Sequence, residues 1–266
     1  MRPNDRREKI VDLVRERERV TVDFLAQELS TSCETIRRDL TELSARGHIR
    51  KFHGGATLPE LSGANLEGSF QARMQEHLRE KRAIARGAAA LFSPGDTLFI
   101  DTGTTTVIFA EELARLSRLT VITNSIAIAQ TMARSAGNGN RVFLIGGEYS
   151  DDAGENVGTL AIDQIARFHA SHAVLTVGAV EPEGILDYDL AETEIASAMV
   201  AQSRAVTILA DSSKLVRSAL FQVCPLTDVD RLVVDRAPGG PIAEALQAAA
   251  VEVIVTPTAD TVVKIA

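Results

Sequence analysis

The chain has 266 residues, 45% of them hydrophobic and 24% charged, which is the composition of a folded protein with one large or two modest domains. No run of about 18 apolar residues occurs, and the first residues lack the apolar core of a signal peptide. We therefore expect a cytoplasmic protein with no membrane partner. Cys33 and Cys224 lack metal-ligand spacing, so we expect reduced thiols, no metal site and no cofactor.

Charge is unevenly distributed along the chain. The whole sequence carries a net charge of -8, but residues 1–58 contain 12 Lys and Arg against 10 Asp and Glu. Residues 59–266 are left with 16 basic and 26 acidic side chains. Because binding to nucleic acid requires cations that neutralise phosphates, a DNA-binding module is expected in the first 58 residues.

Three sets of apolar residues at helical spacing occur in this first part, and they are Ile10, Leu13 and Val14, then Leu25 and Leu29, then Ile36, Leu40 and Leu43. Thr21 is expected to cap the second helix, and Thr31 with Glu34 fits a capping box for the third. A short strand is predicted at Ile49–Phe52, before a turn at His53–Gly55. This order of elements predicts a winged helix-turn-helix whose third helix enters the major groove of double-stranded DNA.

The third helix and the wing supply the candidate DNA contacts. Its three apolar residues are expected to face the core, which leaves polar side chains on the outer face. Arginine can bind phosphate or guanine, and threonine can bond to either kind of group. The candidate DNA-binding residues are Thr35, Arg37, Arg38, Thr41, Lys51 and His53. In the alternative interpretation, Arg37, Arg38 and Asp39 form a solvated helix face, and His53 is only a turn residue.

The second part of the chain alternates apolar strand patterns with helical stretches. The predicted strands are Thr97–Asp101, Thr120–Thr123, Arg141–Ile145, Ala173–Val177, Ala205–Ala210, Arg231–Asp235 and Val251–Thr256. Such alternation is typical of a mainly parallel sheet covered by helices on both faces. The predicted fold is therefore two domains, a winged helix-turn-helix at residues 1–58 and an α/β domain at residues 77–266, joined by a linker at residues 59–76.

Polar turns follow several of the predicted strands. Asp101–Thr106 opens a helix and can present backbone N–H groups to an anion, and Lys214 adds a cation. Ligands bind where the carboxyl ends of parallel strands meet, so these turns predict one effector site. The candidate effector-binding residues are Asp101, Gly103, Thr104, Thr105, Thr106, Asn124, Gly146, Gly147 and Lys214. Two questions stay open. Asp101 either bonds a ligand hydroxyl or only caps its loop, and Lys214 either binds a phosphate or is only a solvated surface lysine.

The motif in the third helix and the wing is close to a known signature. Thr35-Ile-Arg-Arg-Asp-Leu40, followed at the right spacing by His53-Gly-Gly-Ala56, resembles the DNA-binding signature of DeoR-family repressors. The resemblance implies that Thr35, Arg37 and Arg38 lie on the recognition helix, with Lys51 and His53 in the wing.

The second part is similar to the sensor domain of the same family. The matching pieces include Glu80–Ala85, the threonine-rich turn Asp101–Thr106 and Val177-Gly178-Ala179. That domain is related to ribose-5-phosphate isomerase and other phosphosugar-binding folds. The resemblance implies a site for a phosphorylated sugar or polyol, lined by the threonine-rich turn, Asn124, Gly146, Gly147 and Lys214. Because one short recognition helix reads too few bases, we expect a homodimer or homotetramer on paired half-sites. We expect a repressor that the effector releases from its operator, although the sequence leaves open whether the effector releases or strengthens DNA binding.

Gly184–Glu192 looks most like the regulators of glycerol 3-phosphate metabolism within the family, so glycerol 3-phosphate or a similar compound is the expected effector. Here Asp187, Asp189 and Glu192 either accept bonds from polyol hydroxyls or suit the dipole of a helix N-terminus. The competing hypothesis is a phosphosugar isomerase with an appended helical domain. The isomerases use acidic residues after the Gly-Ala element and a lysine in a glycine-rich segment, and Gly184–Asp187 contains no lysine. We therefore expect a regulator and not an enzyme.

Overall fold

The computed structural model describes residues 3–17, 19–45, 49–52, 54–57 and 68–258. The chain divides into two compact units, Met1–Arg73 and Met74–Ala266, which are described separately below. His53 and residues 59–67, half of the predicted linker, lie outside the described residues.

The first unit contains the three predicted helices and the predicted strand near Ile49–Phe52, together with two short strands, Arg19–Thr21 and Gly55–Thr57, that were not predicted. These are α1 (Pro3–Arg17), β1 (Arg19–Thr21), α2 (Val22–Glu28), α3 (Cys33–Ala45), β2 (Arg50–Phe52) and β3 (Gly55–Thr57). The strands form an antiparallel sheet in the order β1-β3-β2, which is the wing. The predicted apolar stripes pack into one core, and Ile10, Leu25 and Ile36 are fully buried in it. The winged helix-turn-helix is confirmed.

The ends of the helices agree with the sequence at one position and differ at another. Thr21 caps α2, because its Oγ1 accepts a hydrogen bond from the N–H of Phe24 at 3.2 Å. The predicted capping box of Thr31 and Glu34 is wrong. The N–H of Thr31 bonds to the carbonyl of Ala26, which ties it to the end of α2, and Ser32 caps α3 by accepting from the N–H of Thr35 at 3.2 Å.

The remaining strands are β4 (Thr97–Ile100), β5 (Thr120–Thr123), β6 (Arg141–Leu144), β7 (Glu148–Ser150), β8 (Glu155–Val157), β9 (Ala170–Thr176), β10 (Ala179–Glu181), β11 (Gly184–Asp187), β12 (Ser203–Leu209), β13 (Phe221–Cys224), β14 (Arg231–Val234) and β15 (Glu252–Val255). The remaining helices are α4 (Phe70–Gln75), α5 (Leu78–Ala89), α6 (Thr104–Leu113), α7 (Ile126–Arg134), α8 (Thr159–Ile165), α9 (Leu190–Ala201) and α10 (Gly240–Ala248).

All seven predicted strands form one parallel sheet in the order β15-β14-β12-β9-β4-β5-β6. Phe99 of β4 belongs to one apolar cluster and its neighbours Leu98 and Ile100 to another, so both faces of the sheet are covered. The chain builds outward from β4 to β6, returns to β9 beside β4, and then builds outward to β15. The order therefore reverses between β4 and β9, and a crevice at the carboxyl ends of the strands is expected at that point.

Two smaller antiparallel pieces were not predicted. Strands β7 and β8 form a hairpin, and β10, β11 and β13 form a three-stranded sheet. Each of these strands has only three or four residues, too few to establish an alternating pattern of apolar and polar side chains. The hairpin matters for the site, because the N–H of Asn156 donates to the carbonyl of Asn124 at 3.0 Å and fastens the hairpin to the end of β5.

Candidate DNA-binding and effector sites

The recognition helix α3 divides into an apolar and a cationic side. Ile36, Leu40 and Leu43 are buried, as predicted. The side chains of Arg37 and Arg38 are 64% and 81% exposed, and both lie within 4.0 Å of the carboxylate of Glu34. Ion pairs this exposed contribute little to stability, so both guanidinium groups can exchange Glu34 for a phosphate or a base at little cost.

The other candidate DNA contacts are held by local bonds. Lys51 of β2 donates from Nζ to Oγ1 of Thr41 at 2.9 Å, which joins the wing to α3. Thr41 in turn donates to the carbonyl of Arg37 at 2.7 Å. The hydroxyl of Thr35 lies 2.9 Å from that of Ser32. The structure therefore brings Thr41 and Lys51 together beside the two arginines and gives Thr35 a capping partner.

Asp39 differs from its neighbours, and the solvated-face interpretation is wrong for this residue. It is 2% exposed and accepts hydrogen bonds from Nε of Arg6 and Nε of Arg7 at 2.5 and 3.0 Å. Both arginines belong to α1, so the carboxylate clamps α1 onto α3. The Arg-Arg-Asp motif thus combines two exposed cations with one buried structural anion.

The candidate effector residues follow strands of the parallel sheet, and their turns share its carboxyl edge. Asp101, Asn124 and Gly146 come directly after or near the ends of β4, β5 and β6, which are adjacent. Lys214 follows β12, which β9 separates from β4. With neighbouring strands about 4.8 Å apart, β12 lies roughly 10 Å from β4. The first three turns therefore lie on one side of the reversal between β4 and β9 and the turn with Lys214 on the other, with β6 and β12 each two strand spacings from β4.

The threonine-rich turn is tied to β9 across the point where the strand order reverses. Both carboxylate oxygens of Asp101 lie 3.1 Å from the N–H of Thr176, which donates to them. A Cβ on Gly103 would lie 1.8 Å from Cγ2 of Thr176, so only glycine allows α6 to begin this close to β9. Thr106 donates to the carbonyl of Asp101 at 3.0 Å. These contacts support the loop-capping role of Asp101.

Gly146 and Gly147 are both in close contact with other parts of the protein. The N–H of Gly146 donates to Oε1 of Gln164 at 3.1 Å, and its carbonyl accepts from Nε2 of the same side chain at 2.9 Å. A Cβ on Gly147 would lie 2.5 Å from the carbonyl oxygen of Val157. The Gly146 N–H therefore already has a protein acceptor, and Gly147 permits the β7–β8 hairpin to approach.

Lys214 lies in a short 3-10 turn, Ser212–Leu215, which is held to the sheet where Ser212 donates to the carboxylate of Asp235. Beside this turn is a cavity of about 360 Å³. Its lining residues are His77, Ser212, Ser213, Leu215, Val216, Arg236, Ala237, Pro238, Gly239 and Ile242. The serines and Arg236 give this cavity donors and positive charge.

A second cavity, of about 280 Å³, lies at the β7–β8 hairpin and the start of α9. It is lined by Glu148, Tyr149, Ser150, Glu155, Val157, Asp189, Ala191 and Glu192. Glu155 is 2% exposed, and burial, helped by the carboxylate of Asp189, raises its pKa to about 7. Asn124 donates to this carboxylate from Nδ2 at 2.9 Å.

Burial and neighbouring carboxylates also act on other acids near Glu155. Burial raises the pKa of Asp101 well above its usual value, and the carboxylates of Asp187 and Glu155 raise it further. Asp189 caps α9, since its Oδ1 accepts from the N–H groups of Ala191 and Glu192 at 2.7 and 3.1 Å. The sequence analysis did not identify Glu155, because a carboxylate in a short hairpin normally faces solvent and no motif includes it.

Among the described residues, no group of three or more His, Cys, Asp or Glu side chains is placed to hold a metal ion. Within the same residues, no helix combines the length and the apolar character needed to span a bilayer. Both cysteines are free thiols, and burial raises the pKa of Cys224 to about 12.

A winged helix with exposed arginines, followed by an α/β unit with polar cavities at the ends of its strands, defines a ligand-responsive DNA-binding regulator. Residues 6–61 match the DeoR-like helix-turn-helix domain, and residues 76–236 match the DeoR C terminal sensor domain. The chain belongs to the DeoR family of transcriptional regulators.

Several full-length relatives are similar to this chain. The glycerol-3-phosphate regulon repressor of Escherichia coli is 32% identical over 90% of this chain and 93% of its own length. The repressor CsqR of the same organism is 31% identical, covering 94% of this chain and 95% of its own. The repressor GlcR of Bacillus subtilis is 30% identical, covering 93% and 94%. All three are named as repressors, which favours the regulator over the enzyme.

Among solved structures, ribose 5-phosphate isomerase A of Methanocaldococcus jannaschii overlaps with 51% of this chain and 53% of its own, at 17% identity and a TM-score of 0.37.

Proposed function

We propose that this protein represses a carbohydrate or polyol catabolic operon by binding its operator through α3 and the wing, and that a phosphorylated sugar or polyol releases it. The observation that carries the proposal is the pair of exposed guanidinium groups of Arg37 and Arg38 at the start of a helix whose other side is fully packed. Such side chains can bond phosphates or guanine edges without unfolding any part of the unit.

The proposed effector site is the carboxyl edge of the parallel sheet. Asp101, Gly103 and the threonines at 104–106 form one wall, Asn124 a second, and Lys214 supplies a positive charge from the turn after β12. Gly146 and Gly147 support this site through packing. One of the E. coli relatives is named the glycerol-3-phosphate regulon repressor, and we propose this compound or a similar phosphorylated polyol as the effector.

One short recognition helix reads few base pairs, so we propose that the protein binds paired half-sites as a homodimer or homotetramer in the cytoplasm. Effector binding would favour a subunit arrangement in which the DNA-binding units no longer match the spacing of the half-sites. A coupling free energy of roughly 1 to 3 kcal/mol between the two sites is enough for a 5- to 150-fold change in operator affinity.

The test compares Arg38→Ala with the control Arg115→Ala, which removes an exposed arginine of the α/β unit. Operator duplexes are first selected from a random pool by the wild-type protein, and affinities are then measured by fluorescence anisotropy at several salt concentrations. Arg38→Ala should weaken binding about 10- to 100-fold and reduce the salt slope by about 1, whereas the control should match wild type. An unchanged affinity and slope for Arg38→Ala would show that α3 does not contact DNA.

The effector is tested by thermal unfolding with glycerol 3-phosphate, sorbitol 6-phosphate and their unphosphorylated parents, because a compound that binds only the native state raises the unfolding temperature. A stabilising phosphorylated compound should also release the operator, and Lys214→Ala should weaken its binding. Stabilisation without release of DNA would contradict the proposed regulation.

A further inference from the structure

The cavity of about 360 Å³ beside the turn after β12 is distinct from the proposed effector site, and we call it the β12–β14 cavity. Its walls come from that turn, from the turn after β14, from His77 before α5 and from Ile242 of α10. None of the candidate effector residues lines it. Because β14 is three strand spacings from β4, roughly 14 Å, a small ligand in this cavity does not reach the threonine-rich turn.

The charged groups that line this cavity are basic. They are Arg236 and His77, and the lining includes no aspartate or glutamate. Residues 59–266 as a whole contain 26 acidic and 16 basic side chains, so a lining without acids stands out in this unit. Arg236 is exposed, and it has neither an ion pair nor a hydrogen bond within the described residues. Its guanidinium group is therefore available to a phosphate or carboxylate, which it can bind through two parallel hydrogen bonds.

The 3-10 turn beside Arg236 supplies a hydroxyl. The N–H and Oγ of Ser212 donate to the carboxylate of Asp235 at 2.6 and 3.0 Å, and the N–H of Ser213 donates to Asp211 at 3.0 Å. The two acids next to the turn are thus engaged in holding it. In the part of the chain that the structure describes, the hydroxyl of Ser213 has no partner, so it can donate to a ligand oxygen.

His77 is at the opposite wall from a different part of the chain. It precedes α5 but makes no side-chain cap bond, so capping does not occupy its imidazole. Its backbone has the left-handed conformation, with φ at 52°, which residues other than glycine adopt at a cost in free energy. Residues held in this conformation are frequent at ligand sites. The imidazole adds a further polar group to the same cavity.

The remaining side chains of the lining are apolar, and they are Leu215, Val216, Ala237, Pro238 and Ile242. Val216 is 85% exposed, more than any other large apolar side chain among the described residues. A ligand that covers it gains hydrophobic free energy. The cavity therefore matches a molecule with two parts, an anionic group for the polar wall and an apolar body for the other.

We propose that the β12–β14 cavity is a second small-molecule site, which binds a compound with one oxyanion group, a phosphate or a carboxylate, on a short apolar body. Arg236 and Ser213 hold the oxyanion, and Val216 and Ile242 cover the apolar body. This site goes beyond the proposed function, which assigns a phosphorylated polyol to other turns. A polyol carries hydroxyls along its whole length and matches the apolar wall poorly.

The test follows methyl signals of the full-length protein by NMR during titration. Val216 and Ile242 report the β12–β14 cavity, and Val107 reports the threonine-rich turn. Butyl phosphate is compared with inorganic phosphate and butanol, and pentanoate with acetate and butanol. In at least one series, the two-part probe should shift Val216 and Ile242 and bind about tenfold or more tightly than either one-part probe. The series that does so identifies the oxyanion. Equal binding within both series would overturn the site.

Arg236→Gln should weaken the two-part probe about tenfold and leave butanol unchanged, because it removes the partner of the oxyanion. Arg204→Gln removes an exposed arginine at the start of β12 and is the matched control. Val216→Ser alters an exposed side chain and should weaken the two-part probe without changing the fold. Binding by Arg236→Gln that equals wild type contradicts the proposed site.

Glycerol 3-phosphate in the same titration separates the two proposals. If a two-part probe shifts Val107 and leaves Val216 and Ile242 unchanged, the second site is wrong and the repressor function is untouched. If glycerol 3-phosphate shifts no methyl signal at millimolar concentration while a two-part probe shifts Val216, the second site stands and the proposed effector is wrong. Tighter binding of glycerol 3-phosphate than of butyl phosphate at Val216 would overturn the apolar assignment.

Discussion

The two units place their candidate functional groups in opposite environments. In the winged helix, the side chain of Arg38 is 81% exposed and the buried groups serve the fold. In the α/β unit, Asn124 and Glu155 are 1% and 2% exposed, and the polar groups of the candidate site are themselves inside the protein. A surface that binds a polyanion needs only accessible cations, whereas selection of a small molecule requires groups that are desolvated before the ligand arrives.

This difference has an energetic consequence. Exposed arginines cost the winged helix almost nothing in stability. Buried carboxylates and the amide oxygen of Asn124, which has no hydrogen-bond partner among the described residues, destabilise the α/β unit in the absence of ligand. A ligand that satisfies them recovers that free energy on binding. The comparison therefore predicts opposite changes in stability when a buried acid is removed. Loss of the paired Asp39 should destabilise the winged helix, whereas loss of Glu155 should stabilise the α/β unit.

The largest expected effect breaks the clamp inside the winged helix. Asp39→Ala leaves Arg6 and Arg7 without their buried partner and should lower the free energy of unfolding of this unit by about 3 kcal/mol. Hydrogen exchange of the amides of α1 and α3 measures this unit by itself. Glu34→Ala, an exposed acid on the same helix, should change the exchange by less than about 0.5 kcal/mol. Equal effects of the two variants would mean that burial of Asp39 has no structural role.

In the α/β unit, removal of a buried acid should have the opposite sign. The pKa of Glu155 rises from 4.5 to about 7 on folding, so the native state binds its proton more tightly and stability falls as the pH rises through this interval. The loss amounts to at most about 3 kcal/mol above pH 7. Glu155→Gln should therefore unfold at a higher temperature than wild type at pH 8, with a smaller difference at pH 5.

Two other groups also titrate in the wild-type protein. The raised pKa of Asp101 acts in the same direction as that of Glu155, and burial lowers the pKa of His172, which acts in the opposite direction. The difference between wild type and Glu155→Gln cancels the contribution of His172. Asp101 adds to the difference in the same direction as Glu155, because the Glu155 carboxylate is one cause of its raised pKa. A variant less stable than wild type at pH 8 would mean that Glu155 holds the fold together.

A smaller effect is expected where the hairpin approaches β6. Gly147→Ala forces a Cβ to within 2.5 Å of the carbonyl oxygen of Val157, which should cost about 1 to 3 kcal/mol. Gly137→Ala is the control, because nothing lies within 4 Å of its Cβ. Chemical denaturation compares the two variants. A neutral Gly147→Ala would show that the hairpin can move away, and the second cavity would then lack a fixed wall.

The smallest effect distinguishes the observed cap of α3 from the predicted one. Ser32→Ala removes the acceptor for the N–H of Thr35 and should cost about 1 kcal/mol, whereas Thr31→Ala should be nearly neutral. Hydrogen exchange of the first turn of α3 reports this difference. A larger loss from Thr31→Ala would restore the capping box of Thr31 and Glu34.

The sequence by itself determined most of the winged helix and the main sheet. Ile36, Leu40 and Leu43 recur at helical spacing, and the strands from Thr97 to Thr256 form apolar runs separated by turns, so a local pattern was enough to identify each element. The polar turns expected to share one edge do so because all seven strands are parallel.

Only the tertiary structure decided what the polar residues do. Asp39 carries the same charge as Glu34, yet packing of α1 buries one and leaves the other in solvent. Glu155 meets Asn124 across 31 positions of sequence, and Asp101 meets Thr176 across 75. Sequence periodicity records which face of an element is apolar, but the burial, pKa and partner of a polar group depend on elements far along the chain, which only the folded packing brings together.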